Sequence, residues 1–130
     1  MVYNQSHMDI RIKTTDYHMT PEVSAYLDER IEAIAKLLAS DAEASRCEVE
    51  VGRSVGNVKH GNVWFAEINV ESPGVDRMRA TADAETVNAA IDQAKDEVVR
   101  QLRKYRGFHR RFMRRSGAAF KWMMKFGREE

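Results

Sequence analysis

The chain has 130 residues, of which 43% are hydrophobic and 32% charged, a composition typical of one soluble globular domain. No run approaches the roughly 20 apolar residues of a membrane-spanning helix, and the first residues lack the basic and apolar regions of a secretion signal. The single cysteine, Cys47, has no partner for an internal disulfide, so we expect a reducing, cytoplasmic location.

The net charge of +1 conceals a strong asymmetry along the chain. Residues 1–99 contain 10 Lys and Arg against 18 Asp and Glu, whereas residues 100–128 contain 11 Lys and Arg and no acid. This run is longer than the single last turn in which basic residues complement a helix dipole. It therefore predicts a polyanionic partner, either nucleic acid or an anionic membrane.

The N-terminal part of the chain predicts a strand followed by a helix. Residues 9–13 alternate polar and apolar side chains, which predicts a strand with Ile10 and Ile12 facing inward. Thr20 and Pro21 form a typical helix start, because Thr caps a free backbone N–H and Pro at the first helical position loses no hydrogen bond. Apolar residues then recur at helical spacing on one face, namely Val23, Leu27, Ile31, Ile34 and Leu38.

Three further strands and a second helix follow. Alternating side chains predict strands over residues 46–51, 63–71 and 77–82, separated by segments rich in turn-forming residues. Cys47 falls on the inward face of the first of these strands, so we interpret it as a core residue rather than a reactive thiol. Residues 85–106 predict a long helix with a buried stripe of Val87, Ala90, Ile91, Ala94, Val98, Leu102 and Tyr105.

The predicted order is therefore β-α-β-β-β-α, an α+β domain with two helices on one face of a four-stranded sheet. Short connections predict that the last three strands are antiparallel. We divide the chain into a flexible leader or cloning remnant at 1–8, a domain at 9–106, and a basic C-terminal tail at 107–130. In this tail, Phe, Trp and His residues are interleaved with Arg and Lys.

The sequence offers no catalytic constellation. His7, His18, His60 and His109 are scattered without the spacing of metal ligands, and no glycine-rich phosphate-binding loop is present. Neighbouring carboxylates on the predicted helices are typical of a solvated surface. We therefore expect a protein that is not an enzyme and has no metal, no cofactor and no small-molecule substrate.

The second predicted helix carries a resemblance to a known family. Ala89-Ala90-Ile91-Asp92, followed by Arg100-Gln101-Leu102 and then Lys104, resembles a signature of the ribosome hibernation-promoting factor and ribosome-associated inhibitor A family. The resemblance covers roughly residues 8–106 and implies a fold similar to a double-stranded-RNA-binding domain. The chain departs from the family pattern at Thr86, Asn88 and Glu97, and the acid at Glu97 weakens the basic face of the helix.

The resemblance implies a short-form factor that binds the small ribosomal subunit. It would occupy the mRNA and tRNA channel, contact rRNA there and silence the ribosome reversibly. The second domain through which long members pair ribosomes is absent after residue 106, so we expect no intrinsic dimerisation domain. By position, the basic residues that would contact rRNA are Arg30, Arg100, Arg103, Lys104 and Arg106.

The tail extends this candidate interface. Its aromatic residues can stack on unpaired bases beside cations that meet phosphates, here Arg110, Arg111, Arg114 and Arg115. An alternative is a general RNA-binding or membrane-surface protein acting through this tail, because Trp122 and Phe126 beside Lys and Arg also suit an interfacial helix. A third possibility is that the tail packs on its own domain or on a second copy. We expect no membrane partner.

Overall fold

The computed structural model describes residues 8–54 and 61–115, and it describes side chains up to residue 105. The elements follow the predicted order, with a short 3₁₀ helix (Ala39–Ala44) added after the first helix. They are β1 (Asp9–Thr15), α1 (Pro21–Leu38), β2 (Arg46–Arg53), β3 (Trp64–Glu71), β4 (Met78–Ala84) and α2 (Val87–Arg115).

The strands form one mixed sheet in the order β1-β2-β3-β4. The pairs β2–β3 and β3–β4 are antiparallel, which confirms the prediction from their short connections. β1 pairs with β2 in parallel, since α1 carries the chain back between them. Gly52 permits this pairing at the end of β1, because a Cβ there would lie 2.2 Å from the carbonyl oxygen of Thr15.

The hydrophobic core lies between the two helices and one face of the sheet. Alternate residues of β2 and β3 are buried, while their neighbours in the strand are more exposed. α2 packs over β3 and β4, and α1 lies beside α2. The central residues of both predicted apolar stripes are confirmed as buried, whereas Val23, Val87 and Tyr105 at the stripe ends are only partly buried. The largest fully buried side chains include Leu27, Ile31, Ile34, Ile68, Ile91 and Leu102.

Both helices begin at capped residues. The Thr20 hydroxyl accepts a hydrogen bond from the Val23 N–H at 3.2 Å, as the sequence predicts. α2 begins two residues later than predicted, because the Thr86 hydroxyl accepts from the Ala89 N–H at 3.0 Å and caps the helix there.

Ile12 was predicted to face inward and be buried. It lies on the inward face of the sheet, but the prediction that it is buried is wrong, because the side chain is 43% exposed. β1 is an edge strand, and α2 packs over β3 and β4 toward the opposite edge, so Ile12 lacks a neighbour that would bury it. Met8 was predicted to belong to the flexible leader, but it is part of the folded domain. It continues the alternation of β1 and is only 5% exposed in the core. The rest of the leader, residues 1–7, lies outside the described residues.

The second helix is longer than predicted. It continues to Arg115 instead of ending at residue 106, so the first part of the predicted tail is helical. A single glycine, Gly107, costs a helix interior only about 1 kcal/mol, and the Arg-rich residues after it are good helix formers. Residues 116–130 of the predicted tail lie outside the described residues.

Candidate nucleic-acid interface

The C-terminal half of α2 is a helical segment of cations without acids. We call residues 100–115 the basic segment. At 1.5 Å per residue its backbone is about 22 Å long. Most of its cationic positions are separated by three or four residues and therefore follow one side of the helix backbone. The eight cations are Arg100, Arg103, Lys104, Arg106, Arg110, Arg111, Arg114 and Arg115.

The first residues of the basic segment face solvent. Arg103 and Lys104 are exposed, and within the described residues neither forms an ion pair. Val98 and Leu102, on the opposite side of the helix, are fully buried and fix its orientation on the sheet. The predicted register of α2 is thus confirmed, whereas contact of these cations with RNA stays a prediction.

Arg100 differs from its neighbours because Glu97 holds it. Its Nε and Nη2 donate to the two carboxylate oxygens of Glu97 at 2.9 and 2.6 Å. Hydrogen bonds from Arg100 and Gln101 lower the pKa of Glu97 to about 2, and the bond to Glu97 raises the pKa of Arg100. Arg100 is therefore oriented by the protein, but its charge is largely compensated in the free state.

Arg30 lies outside the basic segment and meets the first half of α2. Its Nε donates to Asp92 Oδ1 at 2.7 Å, and its guanidinium carbon lies 4.1 Å from the ring centroid of Tyr26. The Tyr26 hydroxyl also donates to Asp92. Desolvation opposes the charge on Asp92, but the bonds from Tyr26 and Arg30 outweigh it and lower the pKa of this carboxyl. Arg30 is a candidate by sequence, but the sequence contains no signal for its pairing with Asp92, which lies on the other helix.

A cleft adjoins the basic segment, and sequence reasoning missed it. It lies between α2 and the turn that connects β3 to β4, and Val75, Met78, Arg100, Lys104 and Tyr105 are among its lining residues. The Tyr105 hydroxyl donates to the carbonyl of Gly74 in this turn, which fixes the ring. The cleft thus places apolar side chains beside two cations of the basic segment.

The uncovered face of the sheet has a different electrostatic character. Arg46 lies 3.4 Å from Asp9, and Arg79 lies 2.5 Å from Glu67. Cations on this face alternate with carboxylates, so they compensate one another locally. A polyanion would therefore find its attractive surface on the helical side of the molecule.

The described residues were compared with three other kinds of feature: a metal site, a membrane-spanning helix and a reactive cysteine. Among residues 8–54 and 61–105, no three His, Cys, Asp or Glu side chains are grouped so that they could hold a metal ion. No helix in the described chain combines the length and apolar character needed to cross a membrane. Burial raises the pKa of Cys47 to about 12 and leaves it fully covered, which confirms it as a core residue.

Two of the solved structures that share this fold come from Thermus thermophilus and Coxiella burnetii. The crystal structure of the Protein Y N-terminal domain from Thermus thermophilus superimposes with a TM-score of 0.58 at 21% identity, covering 75% of this chain and 99% of that chain. A ribosomal subunit interface protein from Coxiella burnetii gives a TM-score of 0.59 at 14% identity, covering 77% and 99%. These similarities confirm the α+β fold. No curated protein sequence matches the chain.

A family comparison covers most of the sequence. Residues 10–110 match the family described as sigma 54 modulation protein / S30EA ribosomal protein. This match includes α1 and α2 as far as residue 110, so it extends past residue 106 into the basic segment. The expected relationship to the hibernation-promoting factor family is confirmed, and the chain belongs to the sigma 54 modulation protein / S30EA ribosomal protein family.

Proposed function

We propose that this protein is a ribosome hibernation factor that binds small-subunit rRNA in the mRNA and tRNA channel and reversibly silences translation. The observation that carries the proposal is the basic segment, an acid-free cationic helix on a domain that is otherwise acidic. The family is described as ribosomal, and the Coxiella burnetii protein of the same fold is called a ribosomal subunit interface protein. Both descriptions support a ribosome as the partner.

The basic segment suits binding to phosphates for a simple energetic reason. Arg103 and Lys104 are exposed and form no ion pair within the described residues, so RNA binding would break no internal ion pair at these positions. Each phosphate that they neutralise would release counterions, and this release dominates affinity for nucleic acids. Arg106, Arg110, Arg111, Arg114 and Arg115 would continue the contact along the helix.

The remaining parts of the proposal concern the tail and the mode of inhibition. The aromatic residues of 107–130 would stack on unpaired rRNA bases and add affinity that salt does not screen. No catalytic step would be needed, because occupation of the channel is enough to exclude mRNA or tRNA.

Co-sedimentation and translation assays test the proposal together. The protein should migrate with purified small subunits in a sucrose gradient at physiological salt and should stop synthesis in a translation extract. Excess small subunits should restore synthesis. Protein that stays at the top of the gradient would contradict the proposal, and protein that instead floats with anionic vesicles would favour the membrane-surface alternative.

A further inference from the structure

Arg30, Tyr26 and Asp92 form a compact network between the two helices. Arg30 and Tyr26 lie one turn apart on α1, and Asp92 lies on α2. The Arg30 guanidinium makes two kinds of contact: it lies over the Tyr26 ring, and its Nε donates a hydrogen bond to the Asp92 carboxylate. Only 28% of the Arg30 side chain is exposed, so its long stem is held while part of its head reaches solvent.

The network leaves donors of Arg30 for another acceptor. Asp92 accepts a hydrogen bond from Nε, and Nη1 lies 3.3 Å from Glu29 Oε1. The Glu29 side chain is 75% exposed, so it competes only weakly with a phosphate for Arg30. Together with the side-chain hydrogen bond between Arg30 and Tyr26, these contacts use at most three of the five N–H donors of an arginine head, so at least two remain. A phosphate can accept two such donors side by side, and a head whose direction is already fixed loses less conformational entropy when it does so.

The position of the network suits contact with the same RNA as the basic segment. Asp92 precedes Arg100 by two helical turns, a distance of about 12 Å along α2. An acidic residue at this place opposes RNA binding if charge alone is considered, because it repels phosphates. Its two hydrogen bonds to Tyr26 and Arg30 give it a different role.

We propose that Asp92 and Tyr26 are positioning residues that orient Arg30 toward a phosphate of the bound rRNA. This inference rests on the proposed function and adds two residues to it that carry no favourable charge for RNA. The predicted effect on RNA affinity is opposite in sign to the one expected from net charge alone. Removing the negative charge of Asp92 should weaken RNA binding, although the protein becomes more positive.

The test measures the affinity of the folded full-length protein for purified small subunits. We expect Asp92→Asn to weaken binding by about three- to tenfold, the loss of one oriented charge-assisted contact. The matched control is Asp28→Asn, which removes an exposed carboxylate from α1. The control should bind as tightly as wild type or slightly more tightly. Tyr26→Phe, which keeps the ring but removes the hydrogen bond to Asp92, should give a smaller weakening.

A double-mutant cycle shows whether Asp92 acts through Arg30. Arg30→Ala should weaken binding, and Asp92→Asn should cause no further weakening in that background. Arg30→Lys should not restore wild-type affinity, because Lys lacks the Nε donor. If the network only holds the helices together, Asp92→Asn would lower the melting temperature and leave the affinity of the folded protein unchanged or increased.

These outcomes distinguish a failure of the positioning role of Asp92 from a failure of the proposed function. If Asp92→Asn binds as tightly as wild type, or more tightly like the Asp28→Asn control, the positioning role is overturned. If Asp92→Asn does not fold, the comparison of Tyr26→Phe with wild type decides in the same way. If the wild-type protein itself does not bind small subunits, the proposed function fails instead.

Discussion

Glu97 and Arg100 lie one helical turn apart on α2 and form a two-pronged ion pair at the start of the basic segment. Glu97 is the last acid before a run of cations that continues to residue 115. The pair orients the first arginine of that run but also compensates its charge. Glu97 therefore limits the attraction of this surface for a polyanion, as its departure from the family pattern suggests.

Substitution of Glu97 by Gln should strengthen binding to small subunits. The change removes a repulsive charge and releases the Arg100 head for a phosphate, so we expect an affinity increase of roughly two- to fivefold at low salt. Competition binding with labelled protein measures this change. Glu43→Gln, an exposed acid of the 3₁₀ helix, is the control and should have no effect. Equal affinity of Glu97→Gln and wild type would show that Arg100 does not meet RNA.

The same pair predicts a dependence of stability on pH. The pKa of Glu97 is lowered to about 2 in the folded protein, whereas a Glu in the unfolded chain titrates near about 4.3. A lowered pKa stabilises the folded state above the unfolded value, and this stabilisation is lost as the pH falls toward the folded value. The melting temperatures of wild type and Glu97→Gln should therefore differ slightly near neutral pH, begin to converge below about pH 4 and coincide only near about pH 2. A difference that grows on acidification would contradict this account.

Two isoleucines on the same face of the sheet should differ greatly in their contribution to stability. Ile68 is fully buried in the central part of the sheet, whereas Ile12 is 43% exposed on edge strand β1. We expect Ile68→Ala to lower the free energy of unfolding by about 2–5 kcal/mol and Ile12→Ala by less than about 1 kcal/mol. Denaturant titration gives both values. Equal losses would mean that β1 is covered on its helical face.

The Cys47 thiol should be unreactive in the folded protein. It is fully buried and its pKa is raised to about 12 by burial, so both access and thiolate formation are suppressed. A chromogenic disulfide reagent at mildly alkaline pH should modify Cys47 only after denaturant is added. Rapid modification of the native protein would show that β2 opens or that the strand register differs.

The order and type of the elements could be predicted from the sequence because they depend on local patterns. Side-chain alternation identified the strands, and Thr20 with Pro21 identified the start of α1. The end of α2 could not be predicted in this way. Gly107 resembles a stop signal, but the helix passes through it to Arg115, because flanking residues with high helix propensity offset one glycine.

The features that were missed depend on contacts between distant parts of the chain. Ile12 has the right alternation for a buried residue, but only the position of β1 at the edge of the sheet leaves it exposed. Arg30 could be identified as a cation on α1, but Asp92 follows it by 62 residues, so no spacing rule reveals the pair. The cations Arg103 and Lys104 could be placed at the surface correctly because helical spacing alone decides their direction.

The central claim is that RNA binds the basic segment and not the open face of the sheet, and the salt dependence of binding to small subunits tests it most directly. Two variants lose the same charge: Arg100→Gln/Arg103→Gln/Lys104→Gln on α2, and Arg11→Gln/Lys13→Gln/Arg46→Gln on the open face. The logarithm of affinity should fall with the logarithm of salt concentration less steeply for the α2 variant than for wild type, by a slope difference of about 2–3. The sheet variant should keep the wild-type slope. Equal loss of slope in the two variants, or a larger loss in the sheet variant, would contradict the account.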